Sequence, residues 1–345
     1  MSSRQSIRDV AKAAGVSITT VSRVMNTVDY PVSAELRERV IEAARQLNYS
    51  PNRSAQSLRK NAVDVIGLIV RDIDYSYFGQ IARGVTESAL DQGCMAFVCN
   101  TGRKLEKEYA YHELLWQHRV KGIVIAGGGV ADARYAEIVT RQTKRMQAAG
   151  LKVVALAPQG AEMPCLGYDH QALGRRMTEY LLGIGHQDIG FLAGPSSVVT
   201  SQRHVCGYRS AIEEAGGVFR ESLVACGAFS EEGGDKTCRQ LLDGSIPFTA
   251  LCAGNDDIAI GAIHALRERG LRVPEDVSIV GVGNTPTSRY TRPQLTTFDT
   301  FRYQTGVRAV QYVLSEIPAA EWSENQIAAA CPTPQLIERN SVAAR

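Results

Sequence analysis

Six histidines (112, 118, 170, 186, 204, 264) and eight cysteines (94, 99, 165, 206, 226, 238, 252, 331) are the side chains best suited to metal ligation or nucleophilic chemistry. Neither set has the required spacing. No C-x-x-C pair occurs and the histidines show no ligand interval, so the cysteines read as small hydrophobes and no metal site is expected. There is no H-E-x-x-H and no G-x-S-x-G. Gly127-Gly-Gly129 continues as Val-Ala-Asp, without the Lys-Ser/Thr that a phosphate loop needs. It reads as a strand-to-helix turn, and His186, in Gly-His, as a structural turn residue. No catalytic constellation, no cofactor and no enzymatic activity are expected.

Recognition chemistry is better represented. Between residues 18 and 23 stand Ile18, Thr19, Thr20, Ser22 and Arg23. An arginine can pair bidentately with guanine, a threonine can hydrogen-bond to a base edge, and an aliphatic side chain can meet a thymine methyl. Hydroxyls such as Ser22, and the amide of Asn26, suit phosphate oxygens. Charge agrees with an anionic partner at this end only. Residues 1–60 hold ten Lys/Arg against five Asp/Glu, whereas the remaining 285 hold 28 against 31.

These groups need a frame. Ser6, with Asp9 three residues on, forms a capping-box pattern for a helix through Ala14. Ile7, Val10, Ala11 and Ala14 share a face, and Gly15 provides the stop. Ser17 caps a second short helix, Ile18–Met25, with Val21 and Val24 inward. Ser33 caps a third, Ala34 to about Leu47, expected to bury Leu36, Val40, Ile41 and Ala44. Helix, glycine turn, short helix and support helix make a helix-turn-helix layout.

From Val63 the pattern alternates between strand and helix. Buried-type strands are expected at Val65–Val70, Met95–Cys99, Gly122–Ala126, Lys152–Leu156, Ile189–Ala193, Leu223–Gly227, Ala250–Ala253 and Val277–Val282. Helices are expected between them at Phe78–Leu90, Glu106–Gln117, Ala172–Leu182, Arg203–Ala215, Glu231–Leu242 and Asp256–Arg269. Apolar strands separated by helices imply parallel sheets covered on both faces. The fold class is therefore an α/β core of two Rossmann-like lobes with parallel sheets, behind a small all-α helix-turn-helix domain. No stretch reaches transmembrane length and residues 1–5 are polar, so a cytoplasmic location is expected.

The run Ile7-Arg-Asp-Val-Ala-Lys-Ala-Ala-Gly-Val-Ser-Ile-Thr-Thr-Val-Ser-Arg-Val-Met-Asn26 resembles the headpiece of the LacI/GalR repressor family. Leu47-Asn-Tyr-Ser-Pro-Asn-Arg-Ser-Ala-Gln-Ser-Leu58 resembles the end of that family's third helix and its hinge, and later landmarks such as Gly185-His-x2-Ile-Gly-Phe-Leu-Ala-Gly-Pro195 extend the resemblance over nearly the whole chain. It implies a headpiece over 1–51, a hinge helix over 52–61 and an effector-binding, dimerising core over 62–345. The N-lobe would take about 62–160 plus 300–325, and the C-lobe about 161–299 plus 326–340. Ile18, Thr19 and Arg23 would read bases, and Ser6, Ser17, Thr20, Ser22, Asn26, Asn52 and Arg53 would meet the DNA backbone. Ala55, Leu58 and Arg59 would enter the minor groove, where an apolar wedge flanked by basic residues is the composition of a DNA-kinking segment.

Ligands of open α/β sheets bind beyond the C-terminal strand ends. That rule, with the resemblance, nominates Arg71, Asp72, Tyr77, Phe78, Arg103, Arg203, His204, Phe229, Asn255, Asp256 and Asn284 as effector contacts. Sugar-responsive members carry an Asp after the fourth strand, where Ala157-Pro158 stands here, and another after Val282, where Gly283-Asn284 stands. With two carboxylates missing and Arg71, Arg103 and Arg203 at hand, the expected effector is a sugar or sugar derivative, leaning toward an acid. The reading is a homodimeric repressor of a pseudo-palindromic operator. The rival reading is a cytosolic solute-binding protein of the same fold, against which the basic headpiece argues.

Overall fold

A computed structural model describes residues 5–25, 32–50, 64–244, 246–317 and 333–345. The chain forms two compact units, residues 1–63 and 64–345.

In the first unit, α1 (Ile7–Ala14), α2 (Ile18–Met25) and α3 (Ala34–Gln46) enclose a core of valines and alanines. The Ser6 N–H and hydroxyl both donate to Asp9, at 2.8 and 2.7 Å. Gly15 takes φ +63°, a conformation that a side chain would strain, and its N–H closes onto Ala11 and Lys12. The Ser17 hydroxyl accepts from the Thr20 N–H at 3.0 Å and so starts α2. Arg39 of α3 donates to the Ala14 carbonyl at 2.6 Å, tying the support helix to the turn. One expectation is corrected: Ile41 is 50% exposed, and Leu36 is only half-buried. The inner face of α3 is Val40, Ala43 and Ala44. At 100° per residue, position 41 turns away from it.

In the second unit, β1 (Val65–Val70), β2 (Met95–Asn100), β3 (Gly122–Ala126) and β4 (Lys152–Ala155) form a parallel sheet in the order β2-β1-β3-β4. A second sheet runs β10-β9-β8-β7-β5-β6. Its strands are β5 (Ile189–Ala193), β6 (Val224–Cys226), β7 (Ala250–Ala253), β8 (Ser278–Val282), β9 (Thr296–Asp299) and β10 (Gln335–Ile337). All its pairings are parallel except β9–β10. The strands β9 and β10 were not expected from the sequence.

Helices α4 (Ser76–Asp91), α5 (Leu105–Gln117) and α6 (Ala133–Ala148) belong with the first sheet. Helices α7 (His170–Gly183), α8 (Val199–Glu214), α9 (Glu231–Leu242) and α10 (Asp256–Glu268) belong with the second. Helix α11 (Arg302–Leu314) follows β9 but packs on the first sheet, through Ala309, Val310, Tyr312 and Val313. The chain thus passes between the lobes after β4, after β9 and again before β10.

The alternation of the strands explains the double covering. Ile66, Leu68 and Val70 face one side of the first sheet with Ile81, Val85 and α11. On its other side Leu115 of α5 lies where a Cβ on Gly67 would collide with it, at 2.5 Å. In the second sheet Leu251 and Ala253 join the α9–α10 core, while Ala250 and Cys252 join the α7–α8 core. The strand β2 departs from its expected buried character: Met95, Phe97 and Val98 are 58, 45 and 38% exposed, because β2 is the edge strand. The cysteines are likewise mixed, with Cys94, Cys238 and Cys252 buried and Cys206 and Cys226 exposed.

Candidate DNA-reading face and effector cleft

On α2 the residue angles separate two faces. Taking Ile18 as 0° and 100° per step, Ile18, Ser22, Thr19 and Arg23 fall between 0° and about 140°, and Val24 and Val21 between about 240° and 300°. The second arc is buried in the headpiece. In the first, Ile18 is 45% exposed, Thr19 is exposed, and Ser22 and Arg23 are half-buried. A branched apolar group, two hydroxyls and a guanidinium therefore share one accessible side of a short helix. Ser6 and Ser17 are exposed but already serve as caps, and the Thr20 hydroxyl lies 2.8 Å from that of Ser17. Asn26, Asn52, Arg53, Ala55, Leu58 and Arg59 lie outside the described residues.

In the core, the strand order reverses between β1 and β3 and again between β5 and β7. A cleft of about 570 Å³ of empty space, counted out to its mouth, opens beyond the C-terminal strand ends at these points. The first lobe lines it with Tyr75, Tyr77 and Phe78 after β1, Arg103 after β2, Gly127 and Gly128 after β3, and Ala157 after β4. The second lobe contributes Val198, Thr200 and His204 after β5, Phe229 after β6, Gly254 and Asn255 after β7, and Val282 of β8. Tyr168 and His170, from the crossing segment and the start of α7, complete it.

Arg103 is the cation of this lining. It sits in a left-handed turn (φ 57°) whose N–H donates to the Arg71 carbonyl at 2.9 Å. Its guanidinium lies 5.6 Å from the Tyr75 ring centre and 4.7 Å from that of Phe229, so it reaches from one lobe to the other. Burial lowers its affinity for a proton. Asn255 caps α10 by accepting from the Ile258 N–H at 2.7 Å and donates to the Phe229 carbonyl at 3.2 Å. Among the described residues, no Asp or Glu lines the cleft.

Six of the eleven nominated effector contacts thus come together: Tyr77, Phe78, Arg103, His204, Phe229 and Asn255. Five do not. Arg71 is buried beneath the floor, where it donates to Glu108, Tyr135 and Gln159. Asp72 shapes the turn into α4 by accepting from the Asp74 N–H at 3.3 Å. Arg203 is exposed, since the cleft face of α8 holds Thr200 and His204, four residues apart, and 203 is turned about 100° from it. Asp256 is fully buried, accepting from the Thr285 N–H at 2.6 Å and the Thr297 hydroxyl at 2.5 Å. Asn284 donates to Asp299 at 2.9 Å and accepts from Arg339, bracing the crossing between β8 and β9. One of the three arginines behind the expected acidic effector lines the cleft.

Sequence reasoning passed over Tyr75, Tyr168, His170 and Thr200. The glycine turn was also undervalued. The Val199 N–H donates to the Gly129 carbonyl at 3.0 Å and the Ala131 N–H to the Ser197 carbonyl at 2.7 Å, so the turn forms a bridge between the lobes. It holds glycines because a Cβ on Gly128 would meet Thr200 at 2.6 Å and one on Gly129 the Gln159 carbonyl at 2.3 Å. His186 is structural as expected, lying 2.9 Å from the Thr249 hydroxyl and 3.1 Å from the Ser278 hydroxyl.

Two family descriptions account for both units. "Bacterial regulatory proteins, lacI family" matches residues 6–52, and "Periplasmic binding proteins and sugar binding domain of LacI family" matches residues 63–335. The chain belongs to the LacI family of regulatory proteins. It is 37% identical over 340 residues to the HTH-type transcriptional repressor PurR of Pasteurella multocida, covering 98% of this chain and 99% of that one. It is 32% identical over 339 residues to the regulator GalS of Salmonella typhimurium, covering 98 and 97%. Among solved structures, the lac repressor dimer bound to operator and the anti-inducer ONPF aligns with a TM-score of 0.84 at 28% identity, over 99% of this chain and all of that one. The regulator CelR in complex with cellobiose aligns at 0.67 and 26%, over 98 and 100%. The chain is a transcriptional regulator and not an enzyme. No helix among the described residues is long and apolar enough to cross a membrane.

Proposed function

We propose that this regulator is a cytoplasmic homodimeric repressor whose affinity for a two-fold symmetric operator is set by a small molecule held in the interlobe cleft. The observation that carries the reading is the pairing of an accessible α2 face, Ile18-Thr19-Ser22-Arg23, with an aromatic-walled cleft built by both lobes. Ile18, Thr19 and Arg23 read base edges, and Ser6, Ser17, Thr20, Ser22, Asn26, Asn52 and Arg53 meet phosphates. Ala55, Leu58 and Arg59 occupy the minor groove. The domain division is a headpiece over 1–51, a hinge over 52–61 and a core over 62–345.

A single headpiece contacts too few base pairs for useful specificity, so two are needed. The second copy sits along β2, where Met95, Phe97 and Val98 of the edge strand are exposed, together with Leu90 of α4 and Leu114 of α5. An edge strand with outward apolar side chains is otherwise an aggregation hazard. The effector acts by binding one lobe arrangement better than another. Only such differential affinity can shift the equilibrium toward or away from the DNA-binding state. The interlobe contacts Gly129–Val199, Ser76–Asp257 and Arg103–Phe229 are among those that a change of lobe angle must remake.

A thermal-shift screen of the full chain against sugars, sugar phosphates, sugar acids and planar heterocycles tests this. A stabilising compound should change the affinity for a retained DNA fragment severalfold. Stabilisation by compounds that leave DNA affinity unchanged would reduce the core to a solute-binding module.

A further inference from the structure

His170 and His204 occupy the C-lobe wall of the cleft, and each is 4% exposed. They meet because α7 and α8 cross at backbone contact. A Cβ on Gly174 would lie 2.2 Å from the His204 carbonyl oxygen, and one on Gly207 1.9 Å from that of Gln171. This crossing places His170 Nδ1 3.1 Å from His204 Nε2, with ring centres 4.9 Å apart. The Tyr168 ring packs on the His170 ring at 4.2 Å. His170 Nε2 is buried and makes no hydrogen bond among the described residues.

The 3.1 Å contact requires one ring to donate and the other to accept, so the pair shares one proton between its facing nitrogens. If His204 donates, His170 keeps its own proton on Nε2. If His170 donates from Nδ1, its Nε2 is a lone pair. His170 Nε2 is therefore an N–H donor in one arrangement and a lone-pair acceptor in the other, each with His204 Nδ1 in the opposite state, and leaving it unmet is destabilising. Burial pushes both rings down, His204 to about 4 and His170 well below the usual imidazole value, the latter with His204 and Arg203 adding to the effect. The charges bearing on the pair are Asp169, which caps α7, Arg203 on α8 and, among the cleft-lining residues, Arg103. With no carboxylate in the lining, a positively charged group has no counterion.

We propose that the His170–His204 pair is the specificity-determining edge of the cleft: a neutral, proton-ambivalent imidazole dyad whose Nε2 on His170 hydrogen-bonds an uncharged polar group on a ring-shaped effector. This rests on the effector reading above and sharpens it. The ligand class is one with an uncharged hydroxyl, amide or heteroaromatic edge against the dyad. A cation is rejected. A carboxylate or phosphate, which only accepts, is met there by the Nε2–H arrangement alone.

The test uses the full chain and three probes that share a flat ring and differ at one edge: benzamide, benzoate and benzamidinium. Binding is followed by titration calorimetry in two buffers of different ionisation enthalpy, and by the histidine Cε1–H signals in NMR spectra. Benzamide should shift the His170 signal without proton exchange at pH 7. It should bind at least about tenfold more tightly than benzamidinium, the size of one well-made hydrogen bond. Benzoate should accept from the Nε2–H arrangement, likewise without proton exchange at pH 7. His170→Phe keeps the ring but loses both nitrogens and should abolish the discrimination, whereas His170→Asn keeps a polar edge and should retain it. Equal binding of the three probes, proton uptake on binding benzoate, or no binding by any of them would overturn the dyad proposal. The library screen judges the cleft separately: a hit that binds His170→Phe and wild type alike would leave the cleft standing and remove the dyad.

Discussion

Consider removal of Glu108. Its carboxylate accepts from Arg71 and from the Tyr135 hydroxyl, and Arg71 also donates to Gln159. The Arg71 and Glu108 side chains are 4 and 1% exposed. Gln159 in turn donates to the Gly127 and Ala157 carbonyls at 2.7 Å each, so the network underlies the cleft floor. Breaking a buried pair from one side leaves an uncompensated charge and costs about 3–5 kcal/mol. At roughly 2 °C per kcal/mol for a core of this size, Glu108→Leu should lower its unfolding midpoint by roughly 6–10 °C. Arg71→Leu should do the same. The double variant removes both charges and leaves only Tyr135 and Gln159 short of a partner, at about 1–3 kcal/mol. The cycle should therefore show coupling of at least about 2 kcal/mol. Urea unfolding, followed through the core transition, measures all four corners. Single losses below about 1 kcal/mol, or an additive double variant, would refute a buried, coupled pair and return Arg71 to candidacy as an effector contact.

Other outcomes follow from the same geometry. Phe97→Asp, on the exposed edge strand β2, should convert the dimer to a monomer in analytical ultracentrifugation and lower operator affinity; an unchanged sedimentation coefficient would place the interface elsewhere. Burial, with Glu231 and Asp256 nearby, pushes Asp257 up to about 6, above its unfolded value of about 3.9. Its folded form binds a proton more tightly, so its contribution to stability is present at low pH and is lost as pH rises from about 4 to 6. Asp257→Asn should escape that loss and exceed wild type above pH 6 by roughly 1–3 kcal/mol; a difference that does not vary between pH 4 and 7 would contradict the assignment. Gly207→Ala should push α7 from α8 and cost about 1–3 kcal/mol or more, because its Cβ would meet a backbone carbonyl and not a side chain that can rotate away.

Much of this molecule is legible in its sequence, and the gaps have physical causes. The headpiece could be read nearly residue by residue, because caps, a glycine stop and a 3.6-residue apolar stripe all act locally. Ile41 was misassigned because a fourth apolar residue on α3 looked like core without tertiary context. The eight strands expected all form, but β9 is largely polar (Thr296 to Asp299) and β10 spans three residues, so neither carries a pattern. Helix α6 did signal itself, with Tyr135, Val139, Thr143 and Met146 buried at helical spacing, but its many charged residues obscured the stripe. In the cleft, aromatic contacts after strand ends were legible because topology dictates their place. Arg71, Asp256 and Asn284 occupy equally favoured positions, yet their partners Glu108, Thr297 and Asp299 are set by packing that no local rule reveals. His170 and His204 stand 34 residues apart and become a pair only through the glycine crossing of α7 and α8.

The central claim is that α2 reads DNA sequence on behalf of a dimer. Selection of a randomised duplex library by the full chain, at two salt concentrations, tests it most directly. Wild type should enrich one two-fold symmetric site with salt-dependent affinity, and Arg23→Ala should lose about 1–3 kcal/mol there, confined to one base pair in each half-site. Enrichment of no sequence over the starting pool, or an identical enriched site for Arg23→Ala, would contradict it.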